Sequence, residues 1–229
     1  MKMIRFISAL LLFAFASTAM ASGFSDFERN KITDWLFRGQ TVTPPSTLYV
    51  ALITANKGTW AALTVYSTGD EVVTGSPTNG HLYKATTGGT SGSSAPAWAT
   101  AEGGTVTDGT VTWTEQSLAL NAGTFTEASY TGYARASIAA SLTDFAGTQG
   151  TGTTTASSGT SGETSNNTTI TFGAPTSNQT GLVVGIALMD ALTAGNEITW
   201  AIMTTPVQIL SGASAPSVPA ANWTFTQAP

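Results

Sequence analysis

Aromatic side chains that could stack on a sugar ring are concentrated in one stretch of the chain. Residues 60–113 contain three of the six Trp residues, two of the five Tyr residues and the only His. A flat aromatic ring packs against the apolar C–H face of a sugar while neighbouring polar groups bond its hydroxyls. The candidates for this contact are Trp60, Tyr83 and Trp98, with Asp70 and Asn79 as the nearest polar partners.

The alternative is that these aromatic residues form the core of their own small module. A module of this size needs large side chains to bury enough apolar surface. Trp113 ends a patterned strand, Thr110-Val111-Thr112-Trp113, and is the strongest candidate for such a core residue.

Residue types that perform enzyme chemistry are few. His81 is the only histidine, and a position in a surface turn beside Asn79-Gly80 is a simpler interpretation than a triad. The G-x-S-x-G, H-E-x-x-H and Gly-rich phosphate-loop motifs do not occur. Asp70 and Glu71 are adjacent, so on a strand they point to opposite faces and do not form an acid/base pair. We therefore expect no enzymatic activity, catalytic residue, cofactor or metal, although a Ca²⁺ site of loop carboxylates and carbonyls stays open.

Turn signals place the aromatic residues on a small sheet. Asp108-Gly109 lies between two Thr/Val-rich runs and predicts a type I′ hairpin turn. Asn79-Gly80 predicts a second hairpin with strands Glu71–Thr74 and His81–Ala85. We define residues 59–117 as the insert, because the chain on either side reads as a different kind of sequence. Insertions are tolerated at exposed loop tips, and such loops commonly carry function.

The flanking residues, 22–58 and 118–229, read as one discontinuous β-rich host domain. Ser25 and Glu28 form a capping box that begins a helix over Asp26–Arg38, and Gly39 can end it. Short β-branched or aromatic runs bounded by turn residues predict a β-sandwich or jelly-roll-like fold. These predicted strands are Leu48–Thr54, Gly132–Ile138, Thr168–Phe172, Gly181–Met189, Glu197–Met203, Val207–Leu210 and Asn222–Thr226.

Composition limits the classes of partner. The 229 residues are 41% hydrophobic, enough for a core, but only 9% charged with a net charge of −5. No cluster of Lys or Arg could bind phosphates, which argues against a nucleic-acid partner. Cys is absent, so stability must come from burial, sheet pairing or oligomerisation. Residues 147–166 include 16 Gly, Ser or Thr and predict a flexible surface loop.

The first 21 residues have the layout of a signal peptide. Lys2 and Arg5 precede the apolar run Ile7–Ala16, and Ala19-Met20-Ala21 is a small-x-small cleavage site. We expect export with cleavage after Ala21, and no stable membrane insertion afterwards. The alternatives are an uncleaved anchor or a start assigned upstream of the true one.

An ordered set of motifs resembles a family of tailed-bacteriophage virion proteins, often described as tail-fibre or minor structural proteins. The resemblance covers roughly residues 23–56 and 125–226. It rests on Gly23–Glu28, Pro45–Leu52, Gly132–Arg135, Ile170–Phe172, Val184–Asp190 and Gly195-Asn196 followed by Trp200. It implies a non-enzymatic, β-rich virion component, either a capsid decoration or a tail-associated subunit.

The insert resembles the small carbohydrate-binding modules appended to chitinases. The order Trp, Tyr-x-x-Gly-Asp-x-Val, Gly-x-x-Tyr-x-Ala, Pro and Trp carries that resemblance. It implies binding of a surface polysaccharide.

Together these observations predict a virion structural protein that displays a glycan-binding insert for adhesion. We expect it to assemble with copies of itself or with other virion subunits through Phe24, Phe27 and Trp35, which lie on or beside the helix. The alternative is a secreted, self-assembling subunit of an extracellular filament or surface layer.

Overall fold

The computed structural model describes residues 20–158 and 162–226, and within them the predicted mainly β fold is confirmed. The first half contains β1 (Met20–Phe24), α1 (Asp26–Arg38), β2 (Thr47–Ala55), β3 (Val65–Tyr66), β4 (Glu71–Val72), β5 (Tyr83–Thr87), β6 (Gly89–Thr90), β7 (Thr105–Asp108) and β8 (Val111–Glu115). The second half contains α2 (Ser117–Asn121), β9 (Ala136–Ala139), β10 (Glu163–Ser165), β11 (Ile170–Thr171), β12 (Leu182–Met189), β13 (Glu197–Val207), β14 (Ser217–Val218) and β15 (Thr224–Thr226).

Most of the predicted leader, residues 1–19, lies outside the described residues. β1 begins at Met20, before the predicted cleavage point, and Met20 pairs with Ile202 of β13.

The predicted bounds of the first helix are confirmed. Ser25 caps α1 by accepting a hydrogen bond on Oγ from the Glu28 backbone N–H at 3.3 Å. Gly39 ends the helix in the left-handed conformation at a φ of 66°, which glycine adopts without steric cost.

A five-stranded antiparallel sheet forms the centre of the host, in the order β1-β13-β12-β2-β9. Its inner strands β2 and β12 are buried along nearly their whole length. Their continuous apolar sequences follow from this, because a strand covered on both faces has no solvent side on which to place polar residues.

The two faces of this sheet have different covers. Leu52, Ile186 and Met203 on one face pack against a layer that includes Ile170 of β11 and Val218 of β14. This layer contains two-stranded ribbons, β10–β15 and β11–β14, where a sandwich would have a second continuous sheet. On the other face, Ile53, Val184 and Trp200 pack with Val73 and Leu82 of the insert and Leu120 of α2. The insert therefore covers one face of the central sheet.

The insert has a four-stranded sheet, β4-β5-β8-β7, and a separate pair, β3-β6. The predicted hairpin between β7 and β8 is present, but the turn at Asp108-Gly109 is wrong by one residue. Asp108 pairs with Val111, so Gly109 and Thr110 form the loop, with Gly109 at a φ of 60°. The side chain of Asp108 is buried and hydrogen-bonded, which keeps this residue in the strand.

Other local predictions need correction. The predicted tight turn at Asn79-Gly80 is wrong. β4 ends at Val72 and β5 begins at Tyr83, so these two residues lie within a longer connection between the strands. The short helix α2 was not predicted, and β13 continues to Val207 where a separate strand was expected. Residues 159–161 of the predicted loop at 147–166 lie outside the described residues. Its last residues are part of the fold, since β10 pairs with β15 and Asn166 is fully buried.

Candidate functional site

The aromatic residues of the insert form one connected cluster, in which Trp98 contacts three other rings. The centroid of the Trp98 ring lies 4.3 Å from that of Tyr83, 5.9 Å from that of Trp113 and 6.4 Å from that of Trp60. Trp98 and Trp60 are half-buried at the edge of this cluster, whereas Trp113 is fully buried, as expected of a core residue. The structure thus brings all three predicted stacking residues together.

Tyr83, however, is fully buried and has no face for a ligand. Its hydroxyl donates to the carbonyl of Ala99 at 3.0 Å and accepts from Asn79 Nδ2 at 2.8 Å. Burial raises the pKa of Tyr83 to about 12, although the bond from Asn79 opposes this rise. A stacking role for Tyr83 is incompatible with this burial, and the contact it makes instead supports the ring of Trp98.

Asp108, which the sequence indicated only as a turn residue, orients the exposed edge of the cluster. Its Oδ2 accepts from Trp60 Nε1 at 2.7 Å and from Trp113 Nε1 at 3.1 Å. Its Oδ1 accepts from the backbone N–H of Gly92 at 2.7 Å. A buried indole N–H needs an acceptor, so Trp113, five residues after Asp108 in the same hairpin, is the signal that could have identified this residue.

The two predicted polar partners hold turns of the insert. Asp70 is buried and accepts from the backbone N–H of Ser67 at 2.8 Å and from Asn56 Nδ2 at 3.1 Å. Asn79 donates to Tyr83, and its Oδ1 accepts from the backbone N–H of His81 at 3.2 Å. Both side chains are engaged within the protein, so their direct contacts are structural.

His81 joins a polar network that lacks the geometry of a catalytic triad. Its Nδ1 lies 2.9 Å from Oε1 of the buried Glu115. Ser117 also donates its hydroxyl proton to Glu115. A triad requires the hydroxyl to bond the imidazole, whereas here both groups bond the acid.

The three predicted assembly residues do not form one patch. Phe24 is half-buried, with its ring centroid 5.0 Å from that of Phe225, and Phe27 lies under Lys31 Nζ at 4.1 Å. Trp35 is 59% exposed, and its neighbours Leu36 and Phe37 are 58% and 77% exposed. We call Trp35, Leu36 and Phe37 the helix tip. No residue of α1 is buried.

The Gly132–Arg135 motif forms a polar network in the host. Arg135 donates to both carboxylate oxygens of Glu127 and to the carbonyls of Ala191 and Ala194. Tyr133 donates to Glu127 at 2.6 Å and accepts from the backbone N–H of Leu52 at 3.1 Å. Burial raises the pKa of the Tyr133 hydroxyl well above its ordinary value. This motif therefore fixes the loop at 127–135 to β2 and to the connection between β12 and β13.

Comparison with known proteins gives one family. No curated protein matches the chain. Within residues 20–158 and 162–226, no helix has the length and apolar character needed to cross a membrane. The family described as "Podophage GP4 fiber I protein gp80" matches residues 23–120 and 116–226. These segments include α1, the insert, the central sheet and the Gly132–Arg135 motif. The chain therefore belongs to the podophage GP4 fiber I protein gp80 family, and is a phage tail-fibre-type protein with a structural role in the virion.

Proposed function

We propose that this protein is a fibre subunit that assembles head-to-tail through the helix tip. The observation that carries the proposal is that α1 buries none of its residues while its last turn exposes Trp35, Leu36 and Phe37. Contiguous exposed apolar side chains on a soluble protein commonly mark an interaction site.

The host also offers a recess that suits such a tip. An apolar cavity of about 220 Å³ opens between the central sheet and the β10–β15 ribbon. Its lining includes Phe24, Leu48, Phe145, Leu188, Trp223 and Phe225. A contact between two different surfaces of identical chains repeats head-to-tail, and it produces a filament when the rotation between copies does not close a ring. In this proposal the occupant of the recess is the helix tip of a neighbouring copy.

The double variant Trp35→Ala/Phe37→Ala tests this contact. We expect assembly by the full chain, seen as large species in sedimentation velocity, to be lost without a change in melting temperature, because both side chains are exposed. Arg38→Ala on the same helix is the matched control and should assemble normally. Unchanged assembly of the double variant would refute the proposal, as would a wild-type protein that stays monomeric at high concentration.

We also propose that the insert binds surface polysaccharides through the exposed parts of Trp60 and Trp98. The supporting observation is that these rings lie half-buried at the edge of a packed aromatic cluster, and that Trp60 donates a hydrogen bond to Asp108. One sugar on an open surface offers little enclosed area, so the dissociation constant per site should be on the order of millimolar. Display of many copies on one particle would then supply avidity.

Retention on chitin, peptidoglycan and host-surface polysaccharide columns tests glycan binding. Trp60→Ala and Trp98→Ala should each abolish retention while the circular dichroism spectrum is kept. Leu63→Ala, which removes an exposed aliphatic side chain from the same insert, should be retained like the wild type. If the wild-type protein is retained on none of these columns, the aromatic cluster is a core and the insert is a spacer or an assembly contact.

The family match favours the virion over a secreted extracellular filament, which would use the same helix-tip contact. Localisation of the protein on purified phage particles distinguishes the two. Its presence only in the supernatant of phage-free cultures would support the filament.

A further inference from the structure

The first two elements of the host, β1 and α1, form an N-terminal arm that meets the central sheet through one strand. β1 lies at the edge of that sheet, and within the described residues its neighbour there is β13 alone. The register between the two strands is irregular between Ala21 and Phe24. Release of the arm would therefore break one strand ladder, while the other four strands of the sheet keep theirs.

The junction between the arm and β13 is small but specific. Ser25 is buried and donates its backbone N–H to the carbonyl of Ile198 at 2.9 Å and its hydroxyl proton to the carbonyl of Glu197. Thr199 donates its hydroxyl proton to the carbonyl of Gly23 at 2.8 Å. The acceptors of these bonds are backbone carbonyls at fixed positions. The β13 strand of any copy of the chain can therefore accept the arm in the same register.

The helix of the arm is not held by packing. α1 has 13 residues, and none of them is buried. An isolated helix of this length is marginal in water, because helices in proteins are stabilised mainly by packing of an apolar face. In the single chain α1 therefore lacks a packing partner, and a second copy lying beside it would supply one.

The connection from α1 to β2, residues 39–46, has the features of a hinge. It contains no helix or strand, and its residues are exposed except for Val42 and Pro45, which are half-buried. The Pro44-Pro45 pair restricts the chain to extended conformations. Eight extended residues span up to about 28 Å, which is enough to carry the arm to an adjacent copy.

We propose that two copies of this chain exchange their N-terminal arms, so that β1 of each copy pairs with β13 of the other. The exchange remakes in the dimer every contact that the arm makes in the single chain. The balance between the two forms is therefore set by the hinge and by new contacts of α1, which is why domain swapping is a low-cost route to dimers. Reciprocal exchange leaves no β13 edge open and gives a closed twofold dimer, the commonest symmetry of soluble oligomers.

The exchange goes beyond the helix-tip contact and does not need it. The exchanged dimer is the unit that the helix tip would join into larger species. Phe24 then contributes to assembly from β1, whereas Trp35 contributes from the helix tip. The exchange is tested in the Trp35→Ala/Phe37→Ala background, which removes the helix-tip contact, so that failure of one proposal is not mistaken for failure of the other.

Disulfide formation between chains tests the exchange, since the protein has no cysteine of its own. Phe24 and Thr199 are partners in the register of β1 and β13. Directly opposed residues have Cα atoms about 4.5–5.5 Å apart, within the range of a disulfide. A Phe24→Cys chain and a Thr199→Cys chain of different mass are refolded together and oxidised. Because Thr199 is buried, a thiol there reaches only the strand opposite it.

We expect a covalent heterodimer of the two chains. The double variant Phe24→Cys/Thr199→Cys is the reference for bond formation, and it should give covalent dimers. A disulfide of the double variant that stays within single chains, with no heterodimer in the mixture, would overturn the proposal.

A longer hinge provides a second test that needs no cysteine. A flexible Gly/Ser segment inserted after Gln40 relieves the short hinge, and we expect the dimer seen in sedimentation velocity to become a monomer. The same segment inserted after Gly150, in an exposed loop of the host, is the matched control and should leave the dimer intact. A protein that is monomeric before the insertion, or a dimer that persists after it, would contradict arm exchange.

Discussion

Arg135 is a residue whose loss we expect to destabilise the host. Its side chain is 9% exposed, and it pairs with Glu127 at 2.8 Å. Removing one partner of such a pair leaves the other charge uncompensated, which typically costs about 3–5 kcal/mol. Arg135→Ala should therefore lower the free energy of unfolding in urea by about 3 kcal/mol.

The control for Arg135 is another arginine in an ion pair. Arg38→Ala removes a pair with Asp34 in which the Arg38 side chain is 68% exposed, and it should change stability little. Arg135→Lys should not rescue the loss, because a lysine cannot reproduce the planar, two-pronged donation to Glu127. Equal stability of Arg135→Ala and Arg38→Ala would contradict this prediction.

The burial of Glu197 predicts how the stability of the protein depends on pH. Burial raises its pKa from 4.5 to about 8. The folded state therefore holds a proton that the unfolded state releases. The stabilisation is fully present below pH 4.5 and is lost as the pH rises towards about 8.

The variant Glu197→Gln should flatten this part of the profile of stability against pH. Each pKa unit corresponds to about 1.4 kcal/mol, so Glu197→Gln should be the more stable protein at pH 8 by a few kcal/mol. Parallel stability profiles of the two proteins between pH 5 and pH 8 would contradict it.

At the scale of elements, we predict that residues 59–117 fold when expressed alone. Tyr66, Val72, Tyr83, Val111 and Trp113 give the insert a core of its own. Isolation would expose Val73 and Leu82, which pack in the host, and would remove the bonds from Thr78 to Met203 and Thr204. We therefore expect dispersed amide resonances with a melting temperature below that of the full chain. Collapsed amide dispersion in the NMR spectrum would refute the prediction.

Local signals predicted some elements well and others poorly. The bounds of α1 depend on Ser25 and Gly39, whose effects act within one turn of helix, so the sequence was sufficient. The turn after β7 depends on Asp108, which Trp60 binds from 48 residues away. No dipeptide rule contains that contact, and the turn was therefore misplaced by one residue.

The candidate sites were also predicted only in part, for the same reason. The sequence identified the aromatic cluster, because Trp and Tyr are rare enough to stand out. It could not show that Tyr83 packs against Trp98, or that the buried carboxylate of Glu197 has no hydrogen-bond partner among the described residues. Both facts arise from packing between distant segments. It named Trp35 as an assembly residue, and the structure shows that Leu36 and Phe37 share the exposed last turn of α1 with it.

For the whole molecule, we predict that assembly is nearly insensitive to salt. The chain has only eight Lys and Arg residues, of which Lys2 and Arg5 lie in the predicted leader. The helix tip and its proposed recess are apolar, and screening acts on charges. Sedimentation profiles at low and high salt should coincide. Dissociation of the assembly at 1 M salt, where the screening length is about 3 Å, would show that ionic contacts dominate.

The contact between Phe24 and Phe225 has a mechanical consequence. β1 is an edge strand, and these two rings bring the first and last described strands together. Tension applied through both chain ends would therefore separate β1 from β15 at the contact between Phe24 and Phe225, and it would peel β1 from β13. The remaining four strands, and the insert packed on them, would bear little of that load. A subunit tethered in this way could lose its first strand under stretch while the insert kept its shape.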